Sequence, residues 1–321
     1  MHIVCLAGGV GGARFVRGLR THLDAHHPNA EITVIGNTGD DITLWGLRVC
    51  PDLDTLIYTL GGGIEESQGW GRPGDAHLVQ DELDAYGVSP QWFSLGDLDV
   101  ATHIARSLWL GQGESLSQVT ARLAARWQLP ESGISILPMT DTPVETHVVI
   151  DQGQGSTAVH FQEWWVRMGA QMPAERFVVA GLDRATAAPG VLEALGSADI
   201  VLLPPSNPVV SIGVILGVPG IREALRSTPA PVVGVSPLIG GAPVRGHADV
   251  CLSTIGVEST AAGVAGLYED FLDGWLVDPA DADTQARARV VPWDRPLLMP
   301  TIPDAAALAG AALDLARSLA N

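Results

Sequence analysis

The chain has 321 residues, and 46% of them are hydrophobic, enough to bury a substantial core in one large α/β domain or two small ones. Its formal net charge of −18 argues against a nucleic-acid-binding surface, because such a surface needs clustered basic residues. All 18 basic residues are arginine, which excludes catalysis by a lysine. The three cysteines form no CxxC pair, so neither a zinc knuckle nor a disulfide framework is indicated.

The N-terminal segment lacks the basic and apolar regions of a signal peptide. The most apolar long stretch, residues 209–221, is too short to cross a bilayer. We therefore expect a cytoplasmic protein with neither a membrane nor a nucleic acid as its partner.

A glycine-rich stretch follows the first predicted strand. Residues 3–7 form an apolar run of strand length, residues 8–14 hold the glycines, and an amphipathic helix is predicted from about residue 15 to residue 26. Glycine lets a ligand approach the backbone, and the free N–H groups at a helix start suit a phosphate. The stretch fits neither the dinucleotide fingerprint nor a Walker loop, and a tight turn with a surface arginine is the simpler alternative. The candidate phosphate-binding residues are Gly9, Gly11, Gly12 and Arg14.

An acidic loop follows the second predicted strand, residues 32–35. Open α/β sheets bind ligands beyond the carboxyl ends of their strands, so we expect this loop to lie beside the glycine stretch. It carries Asp40 and Asp41, and Asp52 and Asp54 follow nearby.

These four carboxylates allow two interpretations. Asp52 or Asp54 can cap a helix that runs through residues 56–60. As a group, the carboxylates indicate a Mg²⁺ site, because Mg²⁺ takes one or two carboxylates together with substrate phosphates and water. We favour Asp41 and Asp54 as its ligands.

Residues 64–172 differ from the rest of the chain, and we predict that they form an inserted, mostly helical lid subdomain. Tryptophans and histidines gather there, which suits a flat ring ligand, although a buried aromatic cluster is the simpler explanation. Helical patterns lie at 76–86, 99–110 and 115–127, and a hairpin is predicted from strands 146–150 and 157–161 around the turn 151–155.

Strands and helices alternate from residue 177 onwards. The apolar strands are predicted at 177–180, 200–203, 232–235 and 275–277, and the helices at 189–195, 220–226, 260–272 and 304–319. This order predicts an α/β fold over residues 1–321, a Rossmann-like, doubly wound and mainly parallel sheet. The loop after residue 203 carries Ser206, Asn207 and Ser211, which can bind a base, ribose or phosphate; a rigid proline turn is the alternative.

A set of motifs, taken together, closely resembles the CofD/FbiA family of coenzyme F-420 biosynthesis. The motifs lie at residues 8–14, 37–41, 51–55, 95–99 with 101–103, 160–164, 205–208, 236–239 and 256–259, in order and over essentially the whole chain. Archaeal members of the family often have Lys where Arg14 stands and Arg where Leu98 stands.

The resemblance implies a Mg²⁺-dependent transfer. Family members move a phosphoenolpyruvyl or 2-phospholactyl group from a guanosine diphosphate-linked donor to the terminal ribityl hydroxyl of the deazaflavin Fo, and GMP leaves. The arginine-only, alanine-rich composition is typical of a high-GC bacterium and favours the enolpyruvyl donor. The family also suggests a homodimer.

Roles for individual residues follow as hypotheses. The glycine stretch with Arg14 would hold the donor phosphates, and Ser206, Asn207 and Ser211 would hold the GMP part. Asp41 and Asp54 would hold Mg²⁺, and Asp40 would accept or orient the proton of the hydroxyl. The residues that would cover the deazaflavin ring are Trp70, Arg72, His77 and His160.

Two other functions compete with this one. YvcK-like proteins share the fold and a similar glycine-rich start, but they bind nucleotide-sugars and regulate envelope metabolism. The motifs at 51–55 and 160–163 resemble the transferases instead. An NAD-type dehydrogenase is disfavoured by the broken dinucleotide fingerprint.

Overall fold

The computed structural model describes residues 1–320 except 152 and 154. The strands are His2–Ala7 (β1), Glu31–Gly36 (β2), Ile42–Leu44 (β3), Leu47–Val49 (β4), Ile134–Pro138 (β5), Glu145–Asp151 (β6), Ser156–His160 (β7), Ala174–Ala180 (β8), Ile200–Leu203 (β9), Val232–Val235 (β10), Leu238–Ile239 (β11), Ala242–Pro243 (β12), Gly274–Val277 (β13) and Arg289–Pro292 (β14). The α-helices are Gly9–His26 (α1), Pro51–Leu60 (α2), Leu78–Ala85 (α3), Asp97–Gly111 (α4), Leu116–Arg126 (α5), Val191–Ser197 (α6), Gly213–Gly217 (α7), Ile221–Ser227 (α8), Ala248–Thr254 (α9), Ala261–Gly266 (α10) and Ile302–Leu319 (α11).

A seven-stranded sheet in the order β14-β13-β10-β9-β1-β2-β5 forms the centre of the fold. Every neighbouring pair in it is parallel, which confirms the predicted doubly wound α/β class. The strand order reverses between β1 and β9, and this is the position where such sheets bind ligands.

Strand β1 supplies both faces of the core because successive side chains point to opposite sides of a sheet. Ile3 and Cys5 pack into one buried cluster with α1 and α11. Val4 and Leu6 pack into a second cluster with α6 and α8. The continuous apolar run 3–7 is therefore a strand that is buried on both faces, as its sequence predicts.

The stretch 64–172 differs from the inserted, mostly helical lid subdomain that we predicted. Helices α3, α4 and α5 lie close to the predicted positions, but β5 pairs with β2 and forms one edge of the central sheet. The alternating pattern of β5, with Ile134 and Ile136 buried, is short and lies among helical patterns, so sequence periodicity missed it.

We predicted that the strand at 177–180 belongs to the central sheet, but the observed strand β8 lies in a separate three-stranded sheet. It pairs antiparallel with β6, and β6 pairs antiparallel with β7 in the predicted hairpin. Glu175 and Arg176 are exposed on β8, which suits a sheet with one solvated face. Gln152 and Gln154 of the predicted hairpin turn lie outside the described residues.

Helix α2 corrects the predicted capping role. It begins at Pro51, after the N-cap residue Cys50, so Asp52 and Asp54 lie within the first turn and neither of them caps the helix. Proline suits the first position of a helix, because its missing N–H would have no partner there.

No single helix in the described part of the chain is long and apolar enough to cross a membrane. Within the described residues, the length and hydropathy expected of a membrane span are reached only by two helices taken together, Pro208–Gly217 and Ile221–Ser227, which are bent by 85° at the break between them.

Candidate active site

A cavity of about 470 Å³ opens where β1 and β9 end. Its size is typical of a small-molecule site. The loops after these two strands meet in its wall, because parallel strands carry their carboxyl ends at the same edge of the sheet. The predicted site residues that line the cavity are Gly9, Gly11, Arg14, Asp40, Asp54, Trp70, Ser206, Asn207 and Ser211.

The glycine stretch starts helix α1, which begins at Gly9 and not near residue 15. Its first N–H groups therefore lie at the cavity. A Cβ at Gly11 would lie 2.5 Å from the carbonyl oxygen of Pro205, so only glycine lets the first turn of α1 and the loop after β9 approach this closely. Gly12 does not line the cavity; its Cβ would lie 2.6 Å from the Ser206 Oγ, so it acts through packing.

Asp40 and Asp52 share the amide of Asn37. Asn37 Nδ2 donates to Asp52 Oδ2 at 2.9 Å and to Asp40 Oδ1 at 3.3 Å. Burial raises the pKa of Asp40 well above its usual range, and the negative charge of Asp52 raises it further. Burial also raises the pKa of Asp52 to about 6, while hydrogen bonds from Asn37 and from the Gly9 N–H act in the opposite direction.

Asp41 is fully buried and does not line the cavity. Its Oδ2 accepts a hydrogen bond from the Cys50 thiol at 3.0 Å and lies 3.5 Å from Arg48 Nη2. Burial raises the pKa of Asp41 to about 7, and the positive charge of Arg48 opposes the shift.

Asp54 belongs to a buried trio with Arg106 and His103 of helix α4. Its Oδ1 accepts a hydrogen bond from Arg106 Nη2, and its Oδ2 lies 3.7 Å from His103 Nδ1. Burial lowers the pKa of His103 to about 4, so its imidazole is neutral near pH 7.

Two carboxylate oxygens in this region fit a magnesium ion. Asp41 Oδ1 and Asp54 Oδ2 are buried and lack a hydrogen-bond partner within the described part of the chain, whereas the other oxygen of each side chain faces an arginine. Hard oxygen atoms of this kind are the ligands that Mg²⁺ prefers. Among the described residues, no three His, Cys, Asp or Glu side chains are placed to share one ion. Any ion here would therefore need ligands from substrate or water.

Three polar residues close the wall formed by the loop after β9. Ser206 Oγ accepts from the Gly8 N–H at 3.1 Å and donates to the Gly8 carbonyl at 2.8 Å. Asn207 Oδ1 accepts from the N–H groups of Val209 and Val210, so it caps the π-helix Pro208–Ile212. Ser211 is buried beneath Gly8.

The residues predicted to cover a ring ligand lie in different places. Trp70 is exposed and lines the cavity. Arg72 stacks over Trp127 at 4.6 Å, and His77 donates from Nδ1 to the Leu95 carbonyl at 3.0 Å. Both line a second cavity of about 180 Å³ that shares Trp70 with the first. The aromatic side chains that do line the main cavity with Trp70 are Tyr58, Trp92, Phe93, Phe161 and Trp165.

His160 also lies outside the main cavity. Its Nδ1 accepts from the Gln162 N–H at 3.1 Å, so its Nε2–H donates to the Asp41 carbonyl, also at 3.1 Å. It therefore holds the acidic loop against the three-stranded sheet of β6, β7 and β8.

Comparisons with known proteins decide the family. The family described as 2-phospho-L-lactate transferase CofD matches residues 3–296. The chain belongs to the CofD family. It is therefore an enzyme of the transferase class, as the motifs predict.

Relatives in the CofD family are similar over their full length. The chain is 61% identical to the phosphoenolpyruvate transferase of Thermobifida fusca, covering 99% of both chains. It is 53% identical to the phosphoenolpyruvate transferase of Mycolicibacterium smegmatis, covering 98% of this chain and 99% of the relative. A crystal structure of a UPF0052 family member from Bacillus halodurans matches with a TM-score of 0.61 and 16% identity over 97% of this chain and 98% of that one, which shows the fold alone.

Sequence reasoning missed several residues of this CofD-family cavity. His103 and Asp99 lie on helix α4, and a His or Asp on an amphipathic helix carries no special signal. Gln162 directly precedes the π-helix Glu163–Arg167, and Arg245 and His247 come from a distant loop. The only available signal was that Asp99, His103 and Gln162 fall within motifs of the resemblance.

Proposed function

We propose that this chain transfers a phosphoenolpyruvyl group from a guanosine diphosphate-linked donor to the terminal hydroxyl of the deazaflavin Fo, with release of GMP. The observation that carries the proposal is the content of one cavity. A helix start, an arginine, buried carboxylates and an aromatic wall line it together. The similarity to phosphoenolpyruvate transferases favours the enolpyruvyl group over the lactyl group.

The donor would lie along the glycine turn. The N–H groups at the start of α1 and the guanidinium of Arg14 offer donors for phosphate oxygens. Arg14 makes no ion pair with a carboxylate among the described residues; its Nη2 donates to the Glu66 carbonyl at 3.1 Å. The GMP part would contact Ser206, Asn207 and Ser211.

The acceptor ring would lie against the aromatic wall formed by Trp70, Trp92, Phe93, Phe161 and Trp165. Flat aromatic side chains give large contact areas to a ring system. The structure therefore supports Trp70 as a ring contact and favours other aromatic residues over Arg72, His77 and His160.

Asp41 Oδ1 and Asp54 Oδ2 would hold Mg²⁺, which supplies positive charge to the diphosphate when it is bound. Arg48 and Arg106 hold the other oxygen of each carboxylate and thereby fix the orientation of the two side chains.

The transfer is a displacement at phosphorus. The terminal hydroxyl oxygen of Fo bonds to the phosphorus that carries the three-carbon acid. The bond from that phosphorus to the bridging oxygen breaks, and its electron pair leaves with GMP. Asp40 would take the hydroxyl proton, and its raised pKa makes its ionised form a stronger proton acceptor than an exposed carboxylate. Positioning and charge neutralisation supply most of the rate in such reactions.

A mass-resolved endpoint assay tests the proposal. Purified protein, Fo and Mg²⁺ are mixed with the enolpyruvyl or the lactyl donor, with and without EDTA. We expect GMP and a phosphoenolpyruvyl adduct of Fo, both lost with EDTA. Folded protein that yields no adduct from either donor would contradict the proposal.

Ligand preference separates this function from a nucleotide-sugar-binding regulator. We expect guanine nucleotides or Fo, and not a UDP-sugar, to raise the melting temperature.

The homodimer suggested by the family stays a prediction, which light scattering on the purified protein can check.

A further inference from the structure

His103 lies in the cavity wall but has no part in the transfer described above. It projects from helix α4, is 2% exposed and lies beside Asp54. Its hydrogen bonds determine which ring nitrogen carries the proton, and they leave one group without a partner.

Arg106 fixes the tautomer of His103. Arg106 Nη1 lies 3.0 Å from His103 Nδ1, and a guanidinium can only donate, so Nδ1 must be the acceptor. The ring proton of the neutral imidazole is then on Nε2. Arg106 is itself held by Asp54 and by the Arg48 carbonyl at 3.2 Å, so the ring cannot easily turn over.

The Nε2–H group has no acceptor within the described residues and is shielded from solvent. A buried donor without a partner is costly and rare, and in an active site it indicates a group that is satisfied only when a ligand is present. Since His103 lines the cavity, an oxygen of a bound substrate is the partner that the site can supply.

We propose that the His103 Nε2–H donates a hydrogen bond to a non-bridging oxygen of the phosphoryl group that is transferred. This rests on the proposed function. His103 Nδ1 lies 3.7 Å from Asp54 Oδ2, the oxygen assigned to Mg²⁺, so the ring stands close to where the donor diphosphate would lie. A neutral donor stabilises charge on that oxygen without repelling the metal ion. His103 is then a catalytic residue.

Nitrogen NMR of the ring, in labelled wild-type protein with Mg²⁺, tests the contact without requiring turnover. GDP carries a β-phosphate where the transferred phosphoryl group would lie, whereas GMP lacks it. We expect the spectra to show the ring proton of His103 on Nε2. We also expect GDP, but neither GMP nor Fo alone, to move the Nε2–H resonance downfield. A proton on Nδ1, no shift with GDP, or a shift with Fo alone would overturn the proposal.

Substitutions test the role in catalysis. The amide nitrogen of glutamine can take the place of Nε2, whereas that of asparagine corresponds to Nδ1. We expect His103→Gln to keep kcat within about fivefold, and His103→Asn and His103→Phe to lower it by about 100-fold or more, the loss expected for one transition-state donor. His26→Gln, at the exposed end of α1, is the matched control.

The outcomes separate the two proposals. His103→Phe turnover within threefold of the wild type would overturn the role of His103. A folded wild-type protein that shows the GDP-dependent shift but never modifies Fo would keep the phosphate contact and overturn the proposed acceptor. Should His103→Phe fail to fold, the wild-type NMR titration still decides.

Discussion

Gly8 and Ser206 hydrogen-bond to each other in both directions across the cavity wall. The Gly8 N–H donates to Ser206 Oγ, and Ser206 Oγ donates to the Gly8 carbonyl. Gly8 follows β1 and Ser206 follows β9, the two strands between which the sheet order reverses. The pair therefore joins the phosphate side of the proposed site to the guanosine side.

Gly11→Ala tests the close approach of the start of α1 to the loop that follows β9. The new Cβ would lie 2.5 Å from the Pro205 carbonyl oxygen, so the two segments must separate. We expect the free energy of unfolding to fall by about 1–3 kcal/mol, the usual range for overpacking, and the KM for the guanosine donor to rise. Chemical denaturation and steady-state kinetics measure the two effects. Gly111→Ala, with open space around its Cβ, is the control, and equal effects of both variants would contradict the packing argument.

Asp54→Asn tests the metal assignment. Alanine would leave the buried charge of Arg106 without its partner, at a typical cost of about 3–5 kcal/mol, whereas asparagine keeps an acceptor for it. We expect Asp54→Asn to fold and to lower turnover by about 100-fold or more, with a higher Mg²⁺ concentration needed for half-maximal rate.

Asp270→Asn is the matched control for this variant, because Asp270 pairs with Arg222 away from the cavity. Normal turnover and normal Mg²⁺ dependence in Asp54→Asn would show that the ion is held elsewhere.

The pH dependence of turnover tests Asp40 as the proton acceptor. A carboxyl accepts a proton only when it is ionised, so kcat is expected to fall as the pH drops through the raised pKa of Asp40. Asp52→Asn removes the neighbouring negative charge and lowers that pKa. The acidic limb of the profile should then move to lower pH. Glu131→Gln, at an exposed position, is the control. An acidic limb that Asp52→Asn leaves unchanged would show that a group other than Asp40 causes it.

Asp99→Asn tests the cost of burying a carboxylate. Burial, followed by the charge of Asp54, raises the pKa of Asp99 from 3.8 to about 6. The folded state thus binds a proton more tightly than the unfolded chain. Ionisation of Asp99 therefore lowers the free energy of unfolding as the pH rises from about 4 to above 6.

We expect Asp99→Asn to raise the free energy of unfolding at pH 7.5 by about 3 kcal/mol, with the gain vanishing near pH 4. Denaturation at both pH values measures it, with the exposed Asp283→Asn as control. A gain that is equal at both pH values would assign the effect to packing.

The prediction of the acidic residues illustrates where sequence reasoning stops. Four carboxylates near a glycine turn could be grouped from their spacing alone. The separate environments of these carboxylates could not be predicted from the sequence. Arg106 contacts Asp54 from 52 positions away, and Asn37 hydrogen-bonds to both Asp40 and Asp52. His160 and Arg72 were predicted as ligand contacts from their residue types, but the direction of each side chain depends on the β6–β7 hairpin and on Trp127.

The sequence by itself determined the parallel sheet, the presence of a helix after the first strand and the family, because apolar periodicity and contiguous motifs are local properties. Only the tertiary structure decided that β5 completes the sheet, that β8 leaves it, and which polar groups face one cavity. Those outcomes depend on pairing and burial between segments far apart in the chain, which no local pattern records. The Nε2–H of His103 is of this kind. His103 and Arg106 are neighbours on helix α4, but none of the described residues packed around the ring offers an acceptor to Nε2.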